Sequence, residues 1–134
     1  MIRETRDPVL INYFAQHPEI APEIGGPLDM TGAVRETATF LVGDHGCFCF
    51  EWCAPGTYEI HVMLTQAGRG AWGFQAVREA VASIVERGAS HIWARVKPEA
   101  RHIIYYALKA GFRDAGDMAL HPGPERWRIM NWRP

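Results

Sequence analysis

Between Thr57 and Leu64 the chain alternates two kinds of position. Tyr58, Ile60, Val62 and Leu64 share one face of an extended backbone, while Thr57, Glu59, His61 and Met63 share the other. That period predicts a strand with its even face in a core. Cys47 to Cys53 alternates as well, setting Phe48, Phe50 and Trp52 against Cys47, Cys49, Glu51 and Cys53. Ala54-Pro55-Gly56 joins the two runs as a hairpin. Further on the period becomes helical: Phe74, Val77, Val81, Ile84 and Val85 form one stripe of a helix over 72–88, with Gly88 placed to stop it. His91 to Val96 alternates again. Pro98-Glu99 then opens a second helix bearing Ile103, Ile104, Ala107 and Leu108, ended by Gly111.

Upstream, Asp7-Pro8 offers an N-cap followed by proline at the first helical position, so a helix is expected from there to about Gln16. His17 to Thr31 contains Pro18, Pro22, Pro27 and the Gly25-Gly26 pair and reads as loop. Val34 to Val42 is expected to be a strand. Two antiparallel strands, Phe112–Leu120 and Arg126–Trp132, should close the chain around the His121–Pro124 loop. The resulting order is β-α-loop-β-β-β-α-β-α-β-β. It is a mixed α/β (α+β) layered fold rather than a doubly wound parallel sheet, over one domain spanning 1–134.

Composition narrows the function classes. With 134 residues, 48% of them apolar, the chain can bury roughly two-thirds of its unfolded surface in one core. A net charge of −1 with interspersed signs leaves no basic stripe for nucleic acid and no polybasic membrane patch. No apolar run approaches the ~20 residues of a membrane span, and Met1–Arg6 does not resemble a signal peptide. Cys47, Cys49 and Cys53 crowd one strand and are odd in number, which favours free thiols and a reducing cytoplasm. They are poor zinc ligands. Positions i and i+2 on a strand lie about 6.6 Å apart, whereas zinc sulfurs sit within about 4 Å of one another. No metal is expected.

Four features carry candidate chemistry. Gly68-Arg69-Gly70-Ala71-Trp72-Gly73 follows a strand and opens a helix, where unpaired amides of residues 69–74 can hold an anion such as a phosphate. Glu59 and His61 place a carboxylate and an imidazole on one strand face. His91, Trp93 and Arg95 line the same crevice if their strand lies alongside. Tyr105 and Tyr106, on the second helix, carry phenols able to give a proton. Taken singly, each is also what an ordinary turn, polar face or packing tyrosine looks like.

Taken in order, Thr57 to Phe112 resembles the acetyl-CoA-binding core of the GCN5-related N-acetyltransferase (GNAT) superfamily. There a strand leads into an Arg/Gln-x-x-Gly-x-Gly/Ala turn and a long helix. A second strand, a second helix and a Gly-Phe pair follow, matched here by Ile92–Val96 and Lys109-Ala110-Gly111-Phe112. The turn is compressed to Arg69-Gly70-Ala71-Trp72-Gly73, a form similar to small acetyltransferase-like proteins of bacteriophages and prophages. Ala100 stands where the family often has Asn. Ala107 stands where it often has its acid Tyr, with Tyr106 and Tyr105 displaced by one and two positions.

The resemblance implies a mixed, mostly antiparallel central sheet flanked by helices, and transfer of an acetyl group from acetyl-CoA to a primary amine. Arg69, Gly70, Ala71, Trp72, Gly73 and Phe74 would hold the pyrophosphate, and the pantetheine would pass Met63 and Leu64, whose amides would meet the oxyanion. Glu59 is the first choice of base and His61 the second, with Tyr106 or Tyr105 as acid. The acceptor, a small molecule or a protein amine, would be gripped by Pro18–Thr31, where Glu19, Glu23 and Asp29 favour a cation. A homodimer is compatible with the resemblance. Two other readings stay open. One is a catalytically silent module of the same fold, for example a phage virion or host-interaction component. The other is a hydrolase using His61, against which stands the lack of a Gly-x-Ser-x-Gly motif.

Overall fold

The computed structural model describes residues 1–134 and builds them around one sheet. Its strands are β1 (Arg3–Thr5), β2 (Ala38–Gly43), β3 (Gly46–Ala54), β4 (Thr57–Leu64), β5 (His91–Val96), β6 (Arg113–Met118) and β7 (Trp127–Trp132), with helices α1 (Pro8–Ala15), α2 (Ala71–Glu86) and α3 (Arg101–Lys109). The strand order is β1-β2-β3-β4-β5-β7-β6. Every neighbouring pair is antiparallel except β4–β5, which is parallel. The expected element order and sheet type both hold. Two boundaries move by more than two residues. Val34–Thr37 is turn rather than strand, because Val34 packs against the α1-side core and β3 offers β2 partners only from Ala38 onward. Helix α3 begins at Arg101, since Pro98–Ala100 forms a turn closed by the Ala100 N–H on the Lys97 carbonyl.

Two apolar layers sandwich the sheet. On one side Phe48, Phe50, Ile60, Leu64, Ile92 and Met130 pack beneath α2 and α3. On the other, Phe40, Cys47, Cys49 and Met63 pack against Ile11, Phe14 and Ala15 of α1. The even face of β4 is therefore core, as its period demands. The odd face is half covered as well: Glu59 and Met63 are buried there, while His61 is exposed. No helix is long and apolar enough to cross a membrane.

Candidate active site

Strand β4 is paired with β3 along its whole length, but with β5 only through Thr57–His91, Tyr58–Ile92 and Glu59–Trp93. Beyond Glu59 the two parallel strands part. Over Ile60–Leu64 one edge of β4 has no strand beside it, and β5 turns its other edge to β7. The slit runs about 17 Å from Glu59 to Leu64, at the usual strand rise. Beneath it lies an apolar cavity of about 80 Å3, walled by Val62 and Leu64 of β4, Val96 of β5, Val77 of α2 and Ile103 and Ala107 of α3. A wider groove of about 380 Å3 lies between α1 and the β1–β2 edge, far from this slit in strand order. Ligands of parallel strands gather beyond their carboxyl ends. The open end of the slit is such a place.

At that end β4 turns through Gln66–Gly68 into α2. Ala71, Trp72 and Gly73 form the first helical turn, where the helix offers no acceptor for their amides, and no side chain caps this end. The amides on either side are engaged: the Arg69 N–H donates to the Gln66 carbonyl and the Phe74 N–H to the Gly70 carbonyl. The helix N-terminus thus presents a narrower set of donors than residues 69–74. Trp72 leaves them open. Its ring crosses the β2–β3 turn, edge-on to His45 at 5.3 Å, where Gly43 and Gly46 make room for it. Gly70 has no protein atom within 4 Å of where a Cβ would stand, so the backbone there is bare on its outer side.

Arg69 does not point freely at this site. Its Nη2 donates to the Glu19 carbonyl at 3.1 Å and to Glu23 Oε1 at 2.8 Å, and Glu23 also meets His102 Nε2 at 3.0 Å. Glu19 accepts the Gln66 N–H at 3.2 Å, and Asp29 is held by Thr31 and Asn12. The three loop carboxylates therefore fasten the 17–31 segment in place. No spacing in the sequence pairs Glu23 with Arg69 or His102, which lie 46 and 79 residues away.

Near the closed end, Glu59 is 7% exposed and both its oxygens are taken by Arg95: Nε donates to Oε2 at 2.6 Å and Nη2 to Oε1 at 3.2 Å. Trp93 and Trp127 flank the guanidinium, with ring centres 5.4 and 5.9 Å from it. His61 Nε2 lies 3.6 Å from Glu59 Oε1, and the imidazole is about half exposed. These groups lie on the α1 side of the sheet, whereas the cavity lies on the α2–α3 side. The slit connects the two. Met63 turns into the α1-side core and Leu64 into the cavity.

The two tyrosines part company. Tyr105 is 57% exposed, does not line the cavity, and has Lys109 Nζ 5.6 Å from its ring centre. Tyr106 does line the cavity, and burial raises its phenol above the ordinary value while the Gly70 N–H, donating to its oxygen, pulls the other way.

Neither a protein-family profile nor any curated protein sequence matches the chain. Solved structures do. An aminoglycoside acetyltransferase in complex with coenzyme A is similar over 99% of this chain and 94% of its own, with a TM-score of 0.79 and 17% identity. The ribosomal-protein-alanine N-acetyltransferase from Brucella melitensis is similar over 100% and 99%, with a TM-score of 0.75 and 16% identity. The spermidine N-acetyltransferase from Vibrio cholerae is similar over 99% and 94%, with a TM-score of 0.74 and 12% identity. At such low identities the likeness speaks for architecture alone, and it reaches from end to end: this chain has the fold of the GNAT acetyltransferases.

Proposed function

We propose that the protein is an acyl-CoA-dependent N-acetyltransferase that moves an acetyl group from acetyl-CoA to a primary amine. The observation that carries this reading is the parted β4–β5 pair, with a bare helix N-terminus at its open end and an acid–base pair at its closed end. The first-turn amides of Ala71, Trp72 and Gly73, aided by the positive end of the helix dipole, suit a diphosphate. The apolar slit suits the uncharged arm, and the unpaired β4 edge supplies backbone groups to receive it.

An amine must be neutral to attack, and a lysine-like amine is mostly protonated at pH 7. Glu59, with both oxygens on a guanidinium, is poorly placed to take that proton. His61 is better placed, half exposed with its Nε2 3.6 Å from Glu59 Oε1, so we assign the base to His61 and an orienting role to Glu59. The developing oxyanion would meet amides of β4 near Met63 and Leu64. The acceptor reaches His61 from the α1 side. Aminoglycosides and spermidine, whose acetyltransferases share this fold, define the class of amine to try first.

Binding of CoA tests the proposal without knowledge of the acceptor. At a hundredfold excess over its Kd, CoA should stabilise the protein by about 2.7 kcal/mol, read as a rise in melting temperature. A flat melting temperature across millimolar CoA would remove the coenzyme and the enzyme together. Saturable CoA binding with no transfer to a panel of polyamines, aminoglycosides and amino-terminal peptides would favour the silent module.

A further inference from the structure

Tyr106 reaches the coenzyme turn with its one proton already placed. Its hydroxyl donates to the Gly70 carbonyl at 2.9 Å, with the Gly68 carbonyl at 3.2 Å as a second acceptor, and the Gly70 N–H points back at the same oxygen from 3.3 Å. The oxygen fills the space beside Gly73: a Cβ at that position would collide with the Tyr106 hydroxyl and the Gly68 carbonyl. The phenol ring lies flat on Phe74, with centroids 4.2 Å apart and planes 8° off parallel. One α3 side chain thereby touches residues 68, 70, 73 and 74 of the turn.

We propose that Tyr106 is a positioning residue that fastens the Gly68–Phe74 turn to α3, setting the Ala71–Gly73 amides for a diphosphate, and that it is not the proton donor to the leaving thiolate. The inference rests on the coenzyme reading and deepens it. To protonate sulfur, the hydroxyl would have to abandon its 2.9 Å bond to the Gly70 carbonyl, leaving that oxygen with the Phe74 N–H alone and the turn without its tie to α3. The chemistry does not require it: a thiol with an ordinary pKa near 8.5 leaves readily as the thiolate. Gly73 belongs to the same device, because only a residue without a side chain admits the hydroxyl.

Tyr106→Phe tests this, since it keeps the ring on Phe74 and removes only the oxygen. Two probes separate the roles: CoA, and pantetheine, which has the same arm and no diphosphate. The expected result is an affinity for CoA weakened about five- to tenfold, the worth of one hydrogen bond, with affinity for pantetheine unchanged. In the ligand-free protein, the hydrogen-bonded amides of Gly70 and Phe74 should exchange with solvent faster in the variant. Unchanged CoA affinity would overturn the proposal, and so would equal weakening of both probes. Should the wild type bind neither probe, the coenzyme reading fails by itself. Hydrogen exchange then still decides the fastening, which is wrong if Gly70 and Phe74 keep wild-type protection in Tyr106→Phe.

Discussion

Glu59 and His61 lie two residues apart, yet their surroundings give them different work. A buried carboxylate gripped at both oxygens is held in its place. A half-exposed imidazole beside it can gain and lose a proton as the acceptor arrives. With an amine that supports turnover, His61→Gln should lower kcat by about a hundredfold or more, within the usual range for a general base. Glu59→Gln should cost less and leave the pH profile in place. Steady-state rates across pH decide this, and a profile flattened by Glu59→Gln but kept by His61→Gln would reverse the two roles. The shared strand face of these residues was legible from the period alone. That Arg95 closes on Glu59 was not, because the contact depends on how β5 registers against β4 across 36 residues of intervening chain. Tyr106 was legible as a residue near the site. Its hydrogen bonds to Gly68 and Gly70 needed the crossing of α3 over the turn.

At the scale of elements, the strands with two-residue periods and tight turns were the readable ones: β4 and β5 begin and end where alternation begins and ends. Val34–Thr37 was expected as strand and is not, while the 17–31 segment was legible as loop but its fastening to Gln66 and Arg69 was not, because those partners lie far along the chain. Helix α1 shows local chemistry deciding a boundary. Asp7 accepts the Val9 N–H at 2.9 Å with Pro8 at the first helical position, and the helix ends where Gln16 closes it. Its inner face then covers Cys47, Cys49 and Met63. Asp7→Ala should lower the unfolding free energy by about 1 kcal/mol, while Asp7→Asn, which still caps, should cost far less. Chemical denaturation of the two variants measures the difference, and equal losses would mean that the cap contributes nothing.

For the molecule as a whole, the two buried thiols set a limit on alkaline stability. Burial pushes Cys47 and Cys49 from the ordinary 9.0 up to about 12, with the neighbouring Cys49 thiol raising the first further and the Glu51 and Glu59 charges the second. Because the folded values lie above the unfolded ones, the unfolded chain releases these protons first. Stability is therefore whole below about pH 9 and declines as pH rises toward about 12. Denaturant midpoints across that range should fall, and more shallowly in Cys47→Ala and Cys49→Ala than in the wild type; parallel curves would exclude the thiols as the cause. That the sheet is mixed and mostly antiparallel followed from the resemblance, and the order of its strands from the structure alone, since periodicity says which face a residue takes and not which strand sits beside it.

Three residue pairs join β4 to β5, and all lie at one end. Strands β1–β4 and strands β5–β7 are thus two leaves on a short spine, held together further along by the helices lying across them. Such a sheet can open and close by small rotations about Thr57–Glu59 without breaking either leaf. Whatever fills the gap would bridge the two leaves where no strand pairing does.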